Sequence, residues 1–208
     1  AMRYKEWKIA HPCPEGREKL ERAGVPSLLA AILSARGVVE PEQARKLLTP
    51  GEEPLADPMG MRDMDRAVRR IQRALQEKEM IAVYGDYDVD GITSTCLLTD
   101  CLRRMGGRVI PYIPDRLEEG YGLNQEAVSA LAGQGVALII TVDCGITAVR
   151  EVEFARALGV EVVVTDDHEC KQSLPQAAAV VDPHRPDCPY PFKGLAGVGV
   201  ALKLAMAV

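Results

Sequence analysis

The sequence predicts an α/β fold: a parallel sheet with helices on both faces, preceded by a small helical segment. Three observations carry this expectation. Beyond residue 80, short continuous apolar runs alternate with helical patterns, as buried parallel strands joined by crossover helices require. Before residue 80 the chain reads as helices and turns. The charge balance changes at the same place: residues 1–80 hold 15 basic and 13 acidic side chains, residues 81–208 hold 10 and 17. The expected division is a helical segment over 1–79 and an α/β domain over 80–208.

The elements follow in order. Residues 1–8 contain no hydrophobic signal core, and Ala1 before Met2 reads as the remnant of a cleaved tag. Residues 49–54 form a loop by their proline and glycine content. Residues 62–78 set Met64, Ala67, Val68, Ile71, Ala74 and Leu75 at helical spacing, with Arg66, Arg69, Arg70 and Arg73 on the other face. A solvated face is the simpler reading of those arginines, nucleic-acid contact the alternative. Strands are predicted at 80–84, 109–113, 137–142 and 160–165. Helices are predicted between them at 93–105, 125–132 and 148–158.

Composition excludes several classes. A chain of 208 residues that is 47% hydrophobic buries a sizeable core. No apolar run reaches about 18 residues, so no membrane helix is expected. Cys13, Cys96, Cys101, Cys144, Cys170 and Cys188 form no CxxC pair. Without an export signal they read as reduced thiols of a cytoplasmic protein. A net charge of −5 argues against a plain basic nucleic-acid binder. It leaves room for an enzyme that meets nucleic acid through metal ions.

In parallel sheets, ligands sit beyond the carboxyl ends of the strands. Here those ends are almost all carboxylate. Asp86, Asp88 and Asp90 follow the first strand, Asp143 the third, and Asp166, Asp167 and His168 the fourth. One aspartate after a strand is ordinarily a helix cap. Three clusters at three strand ends repel one another unless a cation neutralises them. Oxygen donors with one imidazole suit Mg²⁺ or Mn²⁺ better than structural zinc. Gly91 opens a helix whose N-terminus, with Thr93 and Ser94, suits phosphate oxygens. A pair of metals is the usual device for phosphodiester hydrolysis.

Tyr84-Gly85-Asp86-Tyr87-Asp88-Val89-Asp90-Gly91 resembles the first motif of the DHH phosphoesterases, and within them of the exonucleases that degrade single-stranded DNA 5′→3′. Thr141-Val142-Asp143-Cys144-Gly145 is similar to the third motif. Thr165-Asp166-Asp167-His168-Glu169 stands where the family carries Asp-His-His. The stretches 113–123 and 183–201 are similar as well. The resemblance covers roughly residues 50–208. It implies a Rossmann-like sheet and release of 5′-mononucleotides in DNA repair and recombination. It also implies Mn²⁺ or Mg²⁺, two ions in the full-length enzyme, and single-strand-binding protein or a helicase as partners. It makes Asp88, Asp90, Asp143 and Asp167 metal ligands, with Asp86 a weaker ligand candidate. Asp166 then orients the loop or a neighbouring imidazole, and His168 contacts the scissile phosphate or acts as general acid. Arg116 binds a strand phosphate through its planar fork, against the alternative of a surface ion pair with Glu118 or Glu119. Gly197 and Gly199 approach substrate backbone or allow close packing.

Two departures bear on activity. Asp167 stands where the family's central histidine binds metal; it is shorter and adds a negative charge. The chain also ends in the middle of an apparent amphipathic helix, before further parts the family carries, so this fragment is expected to be weak or inactive alone. Three rival readings remain. One is zinc held by His168, Cys170, His184 and Cys188. A second is a phosphodiesterase for short oligonucleotides or cyclic dinucleotides. The third is a non-catalytic scaffold, suggested by Asp167. Cys144, beside acids that raise its pKa, reads as a packed thiol rather than a nucleophile.

Overall fold

A computed structural model describes residues 9–49, 55–117, 119–171 and 173–208. The expectations for 1–8, for the loop at 50–54 and for Glu118 lie outside these residues. The chain divides into two compact units, one ending at Leu55 and one running Ala56–Val208. The first contains α1 (Pro14–Arg22), α2 (Ser27–Ala35) and α3 (Pro41–Leu48) around Leu20, Ala30 and Ala44. Both α1 and α3 start on proline, whose fixed φ suits a first helical turn.

The second unit is a five-stranded, wholly parallel sheet in the order β2-β1-β3-β4-β5. Its strands are β1 (Met80–Tyr84), β2 (Arg108–Tyr112), β3 (Val136–Thr141), β4 (Glu161–Thr165) and β5 (Ala179–Val181). The helices are α4 (Met64–Glu77), α5 (Val89–Arg104), α6 (Gln125–Gly133), α7 (Val149–Ala157) and α8 (Gly197–Ala207). Alternate residues of β1 face opposite ways. Ile81 and Val83 pack with Ile71 of α4, Leu98 of α5 and Leu204 of α8. Ala82 and Tyr84 pack with Val128 of α6 and Val152 of α7.

All four predicted strands form, each within one residue of its expected bounds. The three-residue β5 was too short to read from the sequence. The expected boundary after residue 79 cuts between α4 and β1, yet Met64, Ala67, Ile71 and Ala74 are fully buried in the same core as β1. An amphipathic helix needs a surface for its apolar stripe, and for α4 that surface is the sheet. Its arginines are paired. Arg69 meets Asp65 at 2.8 Å, Arg70 meets Glu79 at 2.7 Å and Glu161 at 2.6 Å, and Arg73 meets Glu161. Arg66, Arg69 and Arg73 are exposed, as a solvated face requires, whereas Arg70 is buried and departs from it. Among the described residues no helix is long and apolar enough to cross a membrane.

Candidate metal centre

The strand order reverses between β1 and β3: the chain leaves β1 for β2 on one side, then returns across β1 to β3. The crevice beyond the carboxyl ends at such a switch point is where open α/β sheets bind ligands. The acids following β1, β3 and β4 meet there. Single oxygens of Asp86, Asp88 and Asp143 lie within 4.8 Å of one another, and so do ligand atoms of Asp143, Asp166, Asp167 and His168. Asp143 belongs to both groups.

Each position has a local cause. Asp88 is the N-cap of α5 and accepts from the amides of Asp90 and Gly91, both at 2.9 Å. Asp86 is buried, and one of its oxygens, Oδ1, is buried without a hydrogen-bond partner. Gly91 permits this packing, because a Cβ there would lie 2.5 Å from the Asp86 carbonyl oxygen. Asp143 sits in the left-handed region at φ 59°, which aspartate tolerates better than most residues. Asp166 is almost wholly buried. It accepts from the amides of Ile146 (2.8 Å) and Asp167 (2.9 Å), and lies 2.7 Å from His168 Nδ1. It thus holds the β4 loop and the imidazole together, leaving His168 Nε2 3.4 Å from the Tyr121 hydroxyl.

The electrostatics follow from crowding. Burial, then Asp90, Asp167 and Asp88, push the Asp143 carboxyl up to about 8. Burial also raises Asp86 and Asp167. For His168 burial pulls the pKa down, but Asp166, Asp167 and Asp143 outweigh it and the net shift is upward. Buried, mutually repelling carboxylates with unpartnered oxygens on Asp86 and Asp167 fit a hard divalent cation.

A second layer rims the acids. Tyr84 donates to the Gly122 carbonyl at 2.9 Å and stacks on Tyr112, whose hydroxyl donates to Glu119 at 2.7 Å. Glu119 in turn accepts from the Asp115 amide at 2.8 Å. This ties down the loop carrying Arg116 and Tyr121. Arg116 lies over the Tyr87 ring at 5.1 Å, and Tyr87 meets Tyr121 edge-on. Glu119 is occupied by Tyr112 and Asp115, so among the described residues the ion-pair alternative for Arg116 has no partner. Tyr87 and Tyr121 were not singled out from the sequence. Both lie inside motifs read there, but nothing local shows which way a tyrosine points.

The other expected site residues are engaged by neighbouring elements. The Asp90 carboxylate stands near enough to Asp143 to be the first of the charges that raise it, and it is held by α8: Oδ2 accepts from the Gly197 amide at 2.8 Å and Oδ1 from Val198 at 2.9 Å. Thr93 donates to the Val89 carbonyl at 2.8 Å, and the buried Ser94 donates to the Asp90 carbonyl at 2.6 Å. Both hydroxyl protons are spent within α5 rather than free for phosphate, a common fate of hydroxyls in a helix. Gly197 is a packing glycine, since a Cβ would lie 2.4 Å from Asp143 Oδ1. Gly199 faces Leu195, not the acids. The zinc set is not assembled: Cys188 is buried in the core on the α4 side, while Cys170 packs on the α6–α7 side. Cys144 is fully buried, and burial pushes its thiol up, as a packed thiol requires.

Asp182, missed in the sequence, ends β5 fully buried and accepts from the His184 amide at 2.6 Å. Burial pushes its carboxyl up to about 6. A folded pKa above the unfolded one costs stability as pH rises from about 4 to 6, and the cost persists above that. The loss is on the order of 3 kcal/mol. Asp182→Asn keeps an acceptor and removes the charge. Its advantage over the unmodified chain should therefore be larger near pH 8 than near pH 4, as read from urea midpoints. Equal differences at both pH values would refute this.

Known proteins resemble this chain in sequence and in fold. The DHH family, N-terminal domain, matches residues 80–207. The single-stranded-DNA-specific exonuclease RecJ of Bacillus subtilis (strain 168) is 44% identical over 203 residues, covering 97% of this chain and 26% of that protein. A crystal structure of RecJ in complex with Mn²⁺ from Thermus thermophilus aligns with TM-score 0.74 and 31% identity, over 97% of this chain and 28% of that one. A second, of exonuclease RecJ bound to manganese, aligns with TM-score 0.67 and 39% identity, over 74% and 39%. The chain thus spans about a quarter of the length of the curated relative.

Proposed function

The chain belongs to the DHH family, and from that premise we propose that it is the catalytic α/β part of a metal-dependent hydrolase that degrades single-stranded DNA from the 5′ end. The observation that supports this most directly is the convergence of Asp86, Asp88, Asp143, Asp167 and His168 at the switch point of the sheet. Asp88, Asp90, Asp143 and Asp167, with Asp86, would hold Mn²⁺ or Mg²⁺. Such a cation supplies Lewis-acid polarisation of the phosphate and a lowered pKa for attacking water.

The chain's own residues do the rest. Asp166 keeps the His168 ring oriented and its pKa raised, so His168 can hold a proton for the departing oxygen. Arg116 offers a planar fork to a phosphate of the strand. Tyr87 and Tyr121 present π-faces to bases, a contact that tolerates any sequence. Action on repair or recombination intermediates in the cytoplasm, beside a single-strand-binding protein or a helicase, is part of the same proposal.

The test is Mn²⁺-dependent hydrolysis of a long single strand, its duplex and dinucleotides, by the protein at the length of its relatives. Mononucleotides released from the 5′ end of the single strand are expected. Hydrolysis of linear or cyclic dinucleotides alone would replace this reading with a small-substrate phosphodiesterase. Calorimetry that finds no Mn²⁺ bound, with or without Asp167→His, would replace it with a scaffold.

A further inference from the structure

The loop after β2 carries Arg116 and Tyr121 to the rim of the metal centre, and its sequence gives Tyr121 little stiffness. Tyr121 stands between Gly120 and Gly122, both in the left-handed region at φ 79° and 82°, and glycine leaves the chain on either side free to turn. The restraint comes from one carboxylate. Glu119 Oε1 accepts from the Asp115 amide at 2.8 Å. Its Oε2 accepts from the Tyr112 hydroxyl at 2.7 Å and from Asn124 Nδ2 at 3.2 Å. Tyr112 ends β2, and Asn124 caps α6, so Glu119 joins the strand that enters the loop to the helix that leaves it. Asn124 Nδ2 also donates to the Tyr84 hydroxyl at 3.2 Å, and Tyr84 donates to the Gly122 carbonyl. The bond from Tyr112, then that from the Asp115 amide, hold the Glu119 carboxyl below its ordinary range. Bonds to a charged acceptor of this kind are among the stronger ones in proteins.

We infer that Glu119 is a positioning residue for the nucleic-acid strand, which sets Arg116 and Tyr121 beside the metal centre. Arg116 lies three residues before it, over the Tyr87 ring. Tyr121 lies two residues after it, edge-on to Tyr87 and 3.4 Å from His168 Nε2. One carboxylate thus fixes the spacing between a fork for phosphate and a ring for a base. Glu119 belongs to neither group of converging ligand atoms, so it acts on the strand and not on the cation. Its charge also calls for an explanation, because a bare acid at this rim would repel phosphate. Three donors from within the fold take up that charge, and the same three bonds shape the loop.

The inference rests on the reading of this site as one that acts on single-stranded DNA, and its test separates the two. Glu119→Gln turns an amide nitrogen towards one of the donors. Tyr112→Phe removes a single donor and keeps the ring that stacks on Tyr84. In the protein at the length of its relatives, both should raise KM for Mn²⁺-dependent cleavage of oligothymidylate about tenfold, the scale of one base stack. kcat should fall far less, and Mn²⁺ affinity by calorimetry should stay as it was. In a background of Arg116→Ala with Tyr121→Ala, Glu119→Gln should raise KM no further, since the groups it acts through are gone. In the isotope-labelled 208-residue chain both variants should displace the Gly120 and Tyr121 amide resonances and leave the core strands in place. KM unmoved in both variants, a tenfold rise that persists in the alanine background, a loss of Mn²⁺ affinity, or unmoved Tyr121 resonances overturns the inference. Failure of the unmodified protein to act on oligothymidylate overturns the single-strand reading instead, and the Tyr121 resonances still decide whether Glu119 holds the loop.

Discussion

Asp143→Asn should abolish divalent-cation binding while making the metal-free chain more stable. Asparagine is the substitution that isolates the charge. It matches aspartate in shape and tolerates the left-handed conformation at φ 59°, so neither backbone strain nor a cavity confuses the result. Asp143 is the residue common to both groups of converging ligand atoms, so its loss disrupts both. Calorimetry should show Mn²⁺ affinity falling ~100-fold or more, beyond the range that outer partners of a ligand command. Stability moves the other way. Burial and the neighbouring acids push the Asp143 carboxyl up to about 8. The unfolded chain gives up this proton near pH 4 and the folded chain near pH 8. Metal-free stability therefore falls across that window, and the asparagine variant escapes the loss. At pH 8 its midpoint should lie higher by several degrees or more, each kcal/mol being worth roughly 2–4 °C for a domain of this size. A variant that loses stability at pH 8, or still binds Mn²⁺ as tightly, would show that Asp143 is structural. The same linkage predicts that Mn²⁺ binding releases protons below pH 8 and tightens as pH rises towards it.

Why the cluster around Asp143 was visible in the sequence and the contact of Asp90 with α8 was not is a question of range. A continuous apolar run is a local pattern; four of the five strands announce themselves that way, and three of those runs lead straight into carboxylates. The chemistry at their ends could therefore be placed before any coordinate was known. The pairing of Asp90 with Gly197 and Val198 spans more than a hundred residues. Nothing in Asp88-Val89-Asp90 says that one carboxylate caps its own helix while the other reaches across to another. The hydroxyls of Thr93 and Ser94 were legible as helix-start residues, but not the back-bonds that use up their protons. Arg66, Arg69 and Arg73 of α4 form the exposed face their spacing suggests, but nothing local pairs the buried Arg70 with Glu79 and Glu161. The boundary was misplaced because the apolar stripe of α4 says that it is buried, not against what.

Replacing Asp167 with histidine should raise activity. Asp167 is the one position where the chain departs from the Asp-His-His that names its family. Its carboxyl lies with Asp143 in one group of converging ligand atoms, its Oδ1 is buried without a hydrogen-bond partner, and burial raises its pKa. With Asp86, Asp88, Asp143 and Asp166 it makes five carboxylates at these strand ends. A bound cation would offset part of that repulsion, and a shorter, negative ligand would hold it differently from an imidazole. Misplacement by about 1 Å in a catalytic centre costs on the order of 100-fold in rate. Asp167→His supplies a neutral donor, removes one charge from beside Asp143 and keeps Asp166, the residue that orients the loop. Mn²⁺-dependent cleavage of single-stranded DNA should rise about 10–100-fold. The Asp143 carboxyl should titrate at lower pH in the metal-free variant, because one of the acids that raise it is gone. The two readouts separate the causes. A lower Asp143 pKa without faster cleavage would mean that the extra charge matters only to the empty pocket. Faster cleavage with Asp143 unmoved would mean that ligand geometry, not charge, is what Asp167 disturbs. If neither changes, the aspartate is an equivalent ligand, and the centre works as an all-oxygen site with His168 left for the proton.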